Sequence, residues 1–402
     1  MATIKDFFKE KNKRLDNSEI DYKERIRQHK LSVFIKTTVA IVVFVVVIVL
    51  LNIFWNEKTF TTVSVKETVP ISVVNGATAC NLNGSVLIYS KDGASCIDSK
   101  GKAVWNQSFE MQSPIVSING NTVAIGDYNG RNIYLANKDK ILGTVKTNLP
   151  IRDVAVSDNG VVAAVLDDVD VVRVFIYNGN EDTDTPIVES KATMSKSGYP
   201  ISVSLSPNGQ IMMVSYFYVD SGNMKSSVSF YNFGEVGSNE VDHFVSGFDY
   251  VDTVMPLVRF ASSNTAFAVS DDRIVFFKGN EIPNNIATNL LSEKVLGVYY
   301  DSDYVGLVFL DTSGEYLYRL DVYNSAGTKL CSKQFNIEYT DIVFNNDMFA
   351  IYGGNECMIC EVNGDEKFAG TFDRTVSLLV PTSSTYEYLL VTGDSLDTIE
   401  LN

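Results

Sequence analysis

Cys357 and Cys360 have the C-x-x-C spacing that elsewhere binds zinc or runs thiol exchange. The run Cys357-Met-Ile-Cys360 reads as a strand, and residues three apart in a strand point to opposite faces. No second cysteine pair or histidine cluster completes a zinc site, so both are expected to be buried structural thiols. With Cys80, Cys96 and Cys331 the count is five, and an odd count argues against a full disulfide framework. Apart from His29 the one histidine is His243, in Val241-Asp-His-Phe-Val245, which reads as an edge strand. No G-x-S-x-G elbow, P-loop or G-x-G-x-x-G stands anywhere that would make a nucleophile or a phosphate cradle. His243 is therefore expected to pack at the surface.

Carboxylates are the remaining groups able to do chemistry. Asp167-Asp168-Val-Asp170, Glu181-Asp182-Thr-Asp184, Asp271-Asp272 and Asp301-Ser-Asp303 all fall in turns. None has the D-x-D-x-D-G spacing of a calcium loop. A glycoside-cleaving pair would need two of these acids to converge on one concave face. No catalytic, cofactor or metal residue is assigned, and the expectation is a chain that is not an enzyme and uses no cofactor. Recognition chemistry is better represented, with 20 Tyr and 23 Phe. Most sit inside strand-like runs. Tyr216, Phe217, Tyr218, Phe248 and Tyr250 flank the longest insertions, and aromatic side chains on loops of a rigid scaffold are favoured contact groups. They form the candidate recognition surface.

The elements that must carry these residues are strands. From Val63 onward short apolar runs alternate with Asn, Gly, Asp and Ser. Eight runs recur 37 to 55 residues apart: Val86–Tyr89, Val123–Ile125, Val161–Leu166, Ile211–Tyr218, Ala266–Val269, Val305–Leu310, Phe349–Tyr352 and Leu389–Val391. That period is the period of β-propeller blades. Each run is continuously apolar, as a strand covered on both faces must be. Polar turns such as Ser157-Asp-Asn-Gly160 and Ser206-Pro-Asn-Gly209 precede some of them. The fold expected is an all-β, eight-bladed propeller over residues 57–402, with seven blades as the alternative. The last unit is one strand short, and Thr59 to Glu67 is a strand-like run without a blade. This N-terminal strand is expected to complete the last blade and remove a free edge.

Ahead of the repeats, Thr37 to Asn56 contains no Asp, Glu, Lys or Arg. Twenty such residues at ~1.5 Å each span a bilayer core of ~30 Å. Arg25, Arg27, Lys30 and Lys36 precede it, and Glu57 and Lys58 follow. Phe54, Trp55 and Phe60 fit the outer aromatic belt. Basic flanks stay cytoplasmic, so residues 1–36 are expected inside as a basic tail, 37–56 as a single-pass transmembrane helix, and 57–402 outside. Residues 1–36 carry ten basic and six acidic residues; the remainder carries 23 and 43, a net charge of −20. A domain that acidic repels phosphate, so nucleic acid is not an expected partner.

The Ser-Pro-Asn-Gly turn before a buried strand resembles that of WD40-like propellers, although no Trp-Asp dipeptide is present. Cys96-Ile-Asp-Ser-Lys-Gly101-Lys-Ala-Val-Trp105 resembles the repeat of quinoprotein-like propellers, in which Trp docks neighbouring blades. The other units lack that Trp, so no quinone chemistry is implied. The layout as a whole is similar to an uncharacterised family of membrane-anchored β-propeller proteins of Gram-positive bacteria. The function expected is a binding or scaffold module for a protein, peptide or cell-envelope ligand, held at the outer face of the cell membrane. The alternatives are an envelope hydrolase with paired carboxylates and a sensor signalling through the tail.

Overall fold

The computed structural model describes residues 4–56, 59–73, 76–168, 171–193 and 198–402. Glu57, Lys58 and Asp170, and the side chains of Phe54 and Trp55, lie outside the described set. The chain divides into two units, residues 1–59 and 60–402. The first is one helix, Ile4–Asn56, of 53 residues. The described part of the tail, from Ile4 onward, is helical. Within the helix lies Glu24–Ile48, whose most apolar 18 consecutive residues have mean hydropathy 2.7, long and apolar enough to cross a membrane. This stretch starts earlier than the expected 37–56. Thr37 and Thr38 donate their hydroxyls to the carbonyls of Val33 and Phe34. That satisfies each polar group inside the helix, which an apolar surrounding requires.

The second unit is an eight-bladed β-propeller of four-stranded antiparallel sheets. Blades 1 to 7 cover residues 78–108, 114–146, 151–193, 199–251, 257–290, 297–335 and 341–371. Blade 8 takes three strands from residues 378–401 and its outer strand from Val63–Pro70. All eight apolar runs read from the sequence are second strands of blades. Each is covered on both sides because a blade packs on two neighbours. The first strands of adjacent blades touch around the axis. Their inner edges have no fifth strand to pair with, so side chains from the next blade supply acceptors. Ser117 Oγ accepts from the Val156 N–H at 3.1 Å, and Ser204 Oγ from Phe260 at 3.0 Å.

Each of the eight blade junctions has its own apolar core. Junction 4–5 is filled by Phe230, Phe260 and Phe277, and junction 8–1 by Val86, Leu389 and Leu396. At junction 1–2, Trp105 is 8 % exposed and its indole N–H donates to the Asn137 carbonyl at 2.7 Å. The tryptophan that resembled the quinoprotein-like repeat thus docks one blade on the next. The turns between first and second strands also lace blades together. Gly160 (φ 87°) and Gly209 (φ 68°) supply the left-handed conformation of two of them. The Asp158 N–H of one donates to the Pro207 carbonyl of the other at 3.0 Å.

The ring closes as the sequence predicts, with a shift. The closing strand is Val63–Pro70 rather than Thr59 to Glu67, and pairs with Ser395–Leu401 from Val63↔Leu401 to Pro70↔Ser395. Ahead of it the Phe60 N–H bonds the Lys367 carbonyl of blade 7, and the N–H groups of Thr61 and Thr62 bond the Asn402 carbonyl. Phe60 is buried, while Val65 is 58 % exposed.

Candidate functional site

Cys357 and Cys360 point into different cores, Cys357 toward blade 8 and Cys360 toward blade 6, as strand alternation requires. All five cysteines are free thiols. Burial pushes Cys360 up to about 12, and Cys80, Cys96 and Cys331 up to about 11. Such thiols hold their protons and are poor nucleophiles.

His243 departs from its expected place. It ends a short 3-10 turn, Val241–His243, before the outer strand Phe244–Val251 of blade 4. Its ring contacts Phe233 at 5.6 Å, and Asp242 and His243 both have positive φ. The two left-handed residues reverse the chain, so it is not yet extended at His243.

The acidic clusters are taken up by the fold. Asp167 pairs with Arg152, Asp168 with Arg173 and Asp272 with Arg273. Asp182 accepts from the Thr144 N–H at 2.9 Å, which fastens its loop to blade 2. Asp301 accepts from the N–H groups of Asp303 and Tyr304 as a turn cap. Asp301 and Asp341 do share a wall of a cavity of about 320 Å³ between first strands, and burial raises both carboxyls above their usual range. Asp341 is itself bonded by the Ile342 N–H. No group of three or more His, Cys, Asp or Glu among the described residues is placed to hold a metal ion.

The five aromatic residues do not form one patch. Alternation along Ile211–Asp220 sends Tyr216 and Tyr218 toward blade 3 and Phe217 toward blade 5, the side on which Phe248 and Tyr250 pack. Tyr216 is buried, with its hydroxyl 3.0 Å from that of Tyr231, and Tyr250 is buried too. Phe248 packs on Phe230 and Phe277. What projects is the hairpin itself. Ile211–Asp220 and Asn223–Asn232 have ten residues each, against four to eight in the other strands of the propeller. The two-residue turn Ser221-Gly222 has positive φ at both positions, the geometry that suits a twisted hairpin. Near it Val219 is 63 % and Met224 51 % exposed, directly paired and so on one face. Lys225 and Asp220, on the rungs either side of that pair, bond at 2.6 Å.

Sequence reasoning missed a second concave feature. Between the outer strands of blades 7 and 8 lies a cleft of about 630 Å³. Its lining mixes the apolar Phe368, Leu390 and Ile399 with the polar Thr61, Thr68, Asp373 and Arg374, and Val65, Thr62 and Thr371 stand at its mouth. Asp397 lies among them, 7 % exposed. Ser395 Oγ donates to its Oδ2 at 3.2 Å, whereas Oδ1 has no partner among the described residues. The signal was present in Ser395-Leu-Asp397-Thr-Ile399-Glu-Leu401, where the acid holds a position in phase with the core-facing Ile399 and Leu401.

A model of a family of unknown function matches residues 56–401. No curated protein matches the chain in sequence. In structure it is similar to apo AztD from Citrobacter koseri, at 9 % identity and TM-score 0.51, over 77 % of this chain and 93 % of that one. It is also similar to BamB from Moraxella catarrhalis, at 11 % identity and TM-score 0.48, over 85 % and 100 %. BBS1N, solved in complex with ARL6DN, aligns at 10 % identity and TM-score 0.45, over 85 % and 98 %. The likeness to AztD shows the fold alone.

Proposed function

We propose that this chain, which belongs to the DUF5711 family of unknown function, is a membrane-anchored propeller that binds a protein, peptide or cell-envelope ligand outside the cytoplasm. The observation that carries the reading is the blade 4 hairpin. It extends beyond the other blades and exposes an apolar pair, Val219 and Met224, at its tip. Exposed apolar groups on a rigid projection lose little entropy on contact, which favours recognition. Tyr218, half-buried beside them, adds an aromatic group to that end of the hairpin. The described side chains of the acidic clusters are held in ion pairs, turn caps and hydrogen bonds, which supports binding rather than catalysis. The apolar stretch Glu24–Ile48 supports the anchor. Arg25, Arg27, Lys30 and Lys36, on the N-terminal side of the charge-free run that begins at Thr37, support a cytoplasmic N-terminus.

The test uses the full chain in its own membrane. Val219→Asp with Met224→Asp is expected to lower recovery of an envelope component that co-purifies with the wild type by at least about tenfold, since two apolar contacts at ~1 kcal/mol or more are lost. The melting temperature should not change. Equal recovery from the double variant would overturn the hairpin as the contact.

A further inference from the structure

We propose that the cleft between blades 7 and 8 is a binding site for a primary ammonium group on an aliphatic stem, with Asp397 as its counter-charge. This site is separate from the blade 4 hairpin and does not depend on it. Three observations converge on this chemistry. The cleft, about 630 Å³, falls in the range of small-ligand sites. Part of its lining, Phe368, Leu390 and Ile399, is apolar and suits methylene groups, beside the polar Thr61, Thr68 and Asp373. At its floor is a carboxylate more than nine-tenths buried with one oxygen unpartnered among the described residues. An ionised carboxylate in such a place is costly unless a donor meets it, and a charged donor meets it best.

Among the described residues the protein's own cations do not fill this role. Among the described residues Arg374 is the one basic residue lining the cleft. Its guanidinium is taken up by Asp394 at 3.0 Å and by Ser395 Oγ at 3.2 Å. Lys66, on the closing strand, bonds Glu387 and Glu400 instead. The net charge of −20 beyond residue 36 draws cations toward the ring. Closure of the ring by Val63–Pro70 makes the site, because that strand supplies one wall. Val65 stays exposed at the mouth, where a stem would cover it.

Titration calorimetry of the full chain in non-ionic detergent tests the assignment with two ammonium probes. These are 1,5-diaminopentane, a free amine, and Nα-acetyl-lysine amide, a peptide-borne one. The relative affinity of the two tells which source fits the cleft. The controls are 1,5-pentanediol and the lysine amide acetylated at Nε. At least one ammonium probe is expected to bind, with the controls weaker by about tenfold or more. Asp397→Asn should lose the same factor. Should that change unfold the ring, Val65→Trp fills the mouth from an exposed position and must also abolish binding. Val219→Asp should leave it intact. Saturation by the diol at the same concentration, unchanged affinity in Val65→Trp, or no heat from either ammonium probe overturns the proposal.

Discussion

Asp397, Cys360 and Phe230 show how little a residue's type says until its strand face is known. Cys360 looks like half of a redox pair, yet it faces a different junction from Cys357. Its thiol and those of Cys80, Cys96 and Cys331 are raised by burial from an ordinary value of 9.0. A raised value means the folded state keeps the proton longer than the unfolded chain. Their contribution is therefore complete below about pH 9 and is lost as pH climbs through about 11 to 12. The urea midpoint should fall between about pH 9 and pH 11, and the native protein should react with a thiol reagent only on unfolding. Fast labelling of Cys357 or Cys360 at about pH 8 would contradict this. Phe230 is wholly buried against Phe248, Phe260 and Phe277. Phe230→Ala should cost about 3–5 kcal/mol, read from the urea midpoint at constant slope.

At the scale of elements, closure decides most. The outer strand of blade 8 comes from the start of the propeller and its other three strands from the end. Seven residue pairs join them. At ~0.5–1.5 kcal/mol per ordinary hydrogen bond, the ladder rivals the ~5–15 kcal/mol net stability of a typical domain. A chain shortened to begin at Val69 should aggregate through its open edge, whereas one beginning at Asn56 should be monomeric in light scattering. Equal melting temperatures and monomeric behaviour for both would show the closing strand to be dispensable. The turn contacts are smaller. Asp158→Ala removes an acceptor of the Asn121 N–H across junction 2–3 and should cost about 1–2 kcal/mol.

For the whole molecule, charge is the main lever. A ring with a net charge near −20 repels itself, and salt screens that repulsion within a Debye length of ~10 Å at 0.1 M. Its melting temperature should rise between low and moderate sodium chloride, and a fall would mean that the surface ion pairs dominate. Orientation is tested at the same scale. Protease added to spheroplasts should digest residues 57–402 and spare residues 1–36, and the reverse pattern would invert the proposed topology.

The sequence by itself determined the class of the elements and their period, while the structure decided for eight blades over seven. A second strand covered by two neighbouring blades must be apolar on both faces, and that left eight unbroken runs such as Val305–Leu310 in plain view. The apolar helix and the closing strand were legible for the same reason, since burial or a bilayer demands a pattern that composition records. Only the tertiary structure decided where side chains meet. Tyr216 and Tyr250 look alike in the sequence, but the pleat sends them to opposite sides of one blade. Asp301 and Asp341 are forty residues apart and share a cavity because first strands gather at the axis. The cleft around Asp397 is walled by Val63–Pro70 and by the outer strand of blade 7, segments some three hundred residues apart. Local patterns record how much of a residue is covered, whereas its neighbours across a junction depend on how the ring closes.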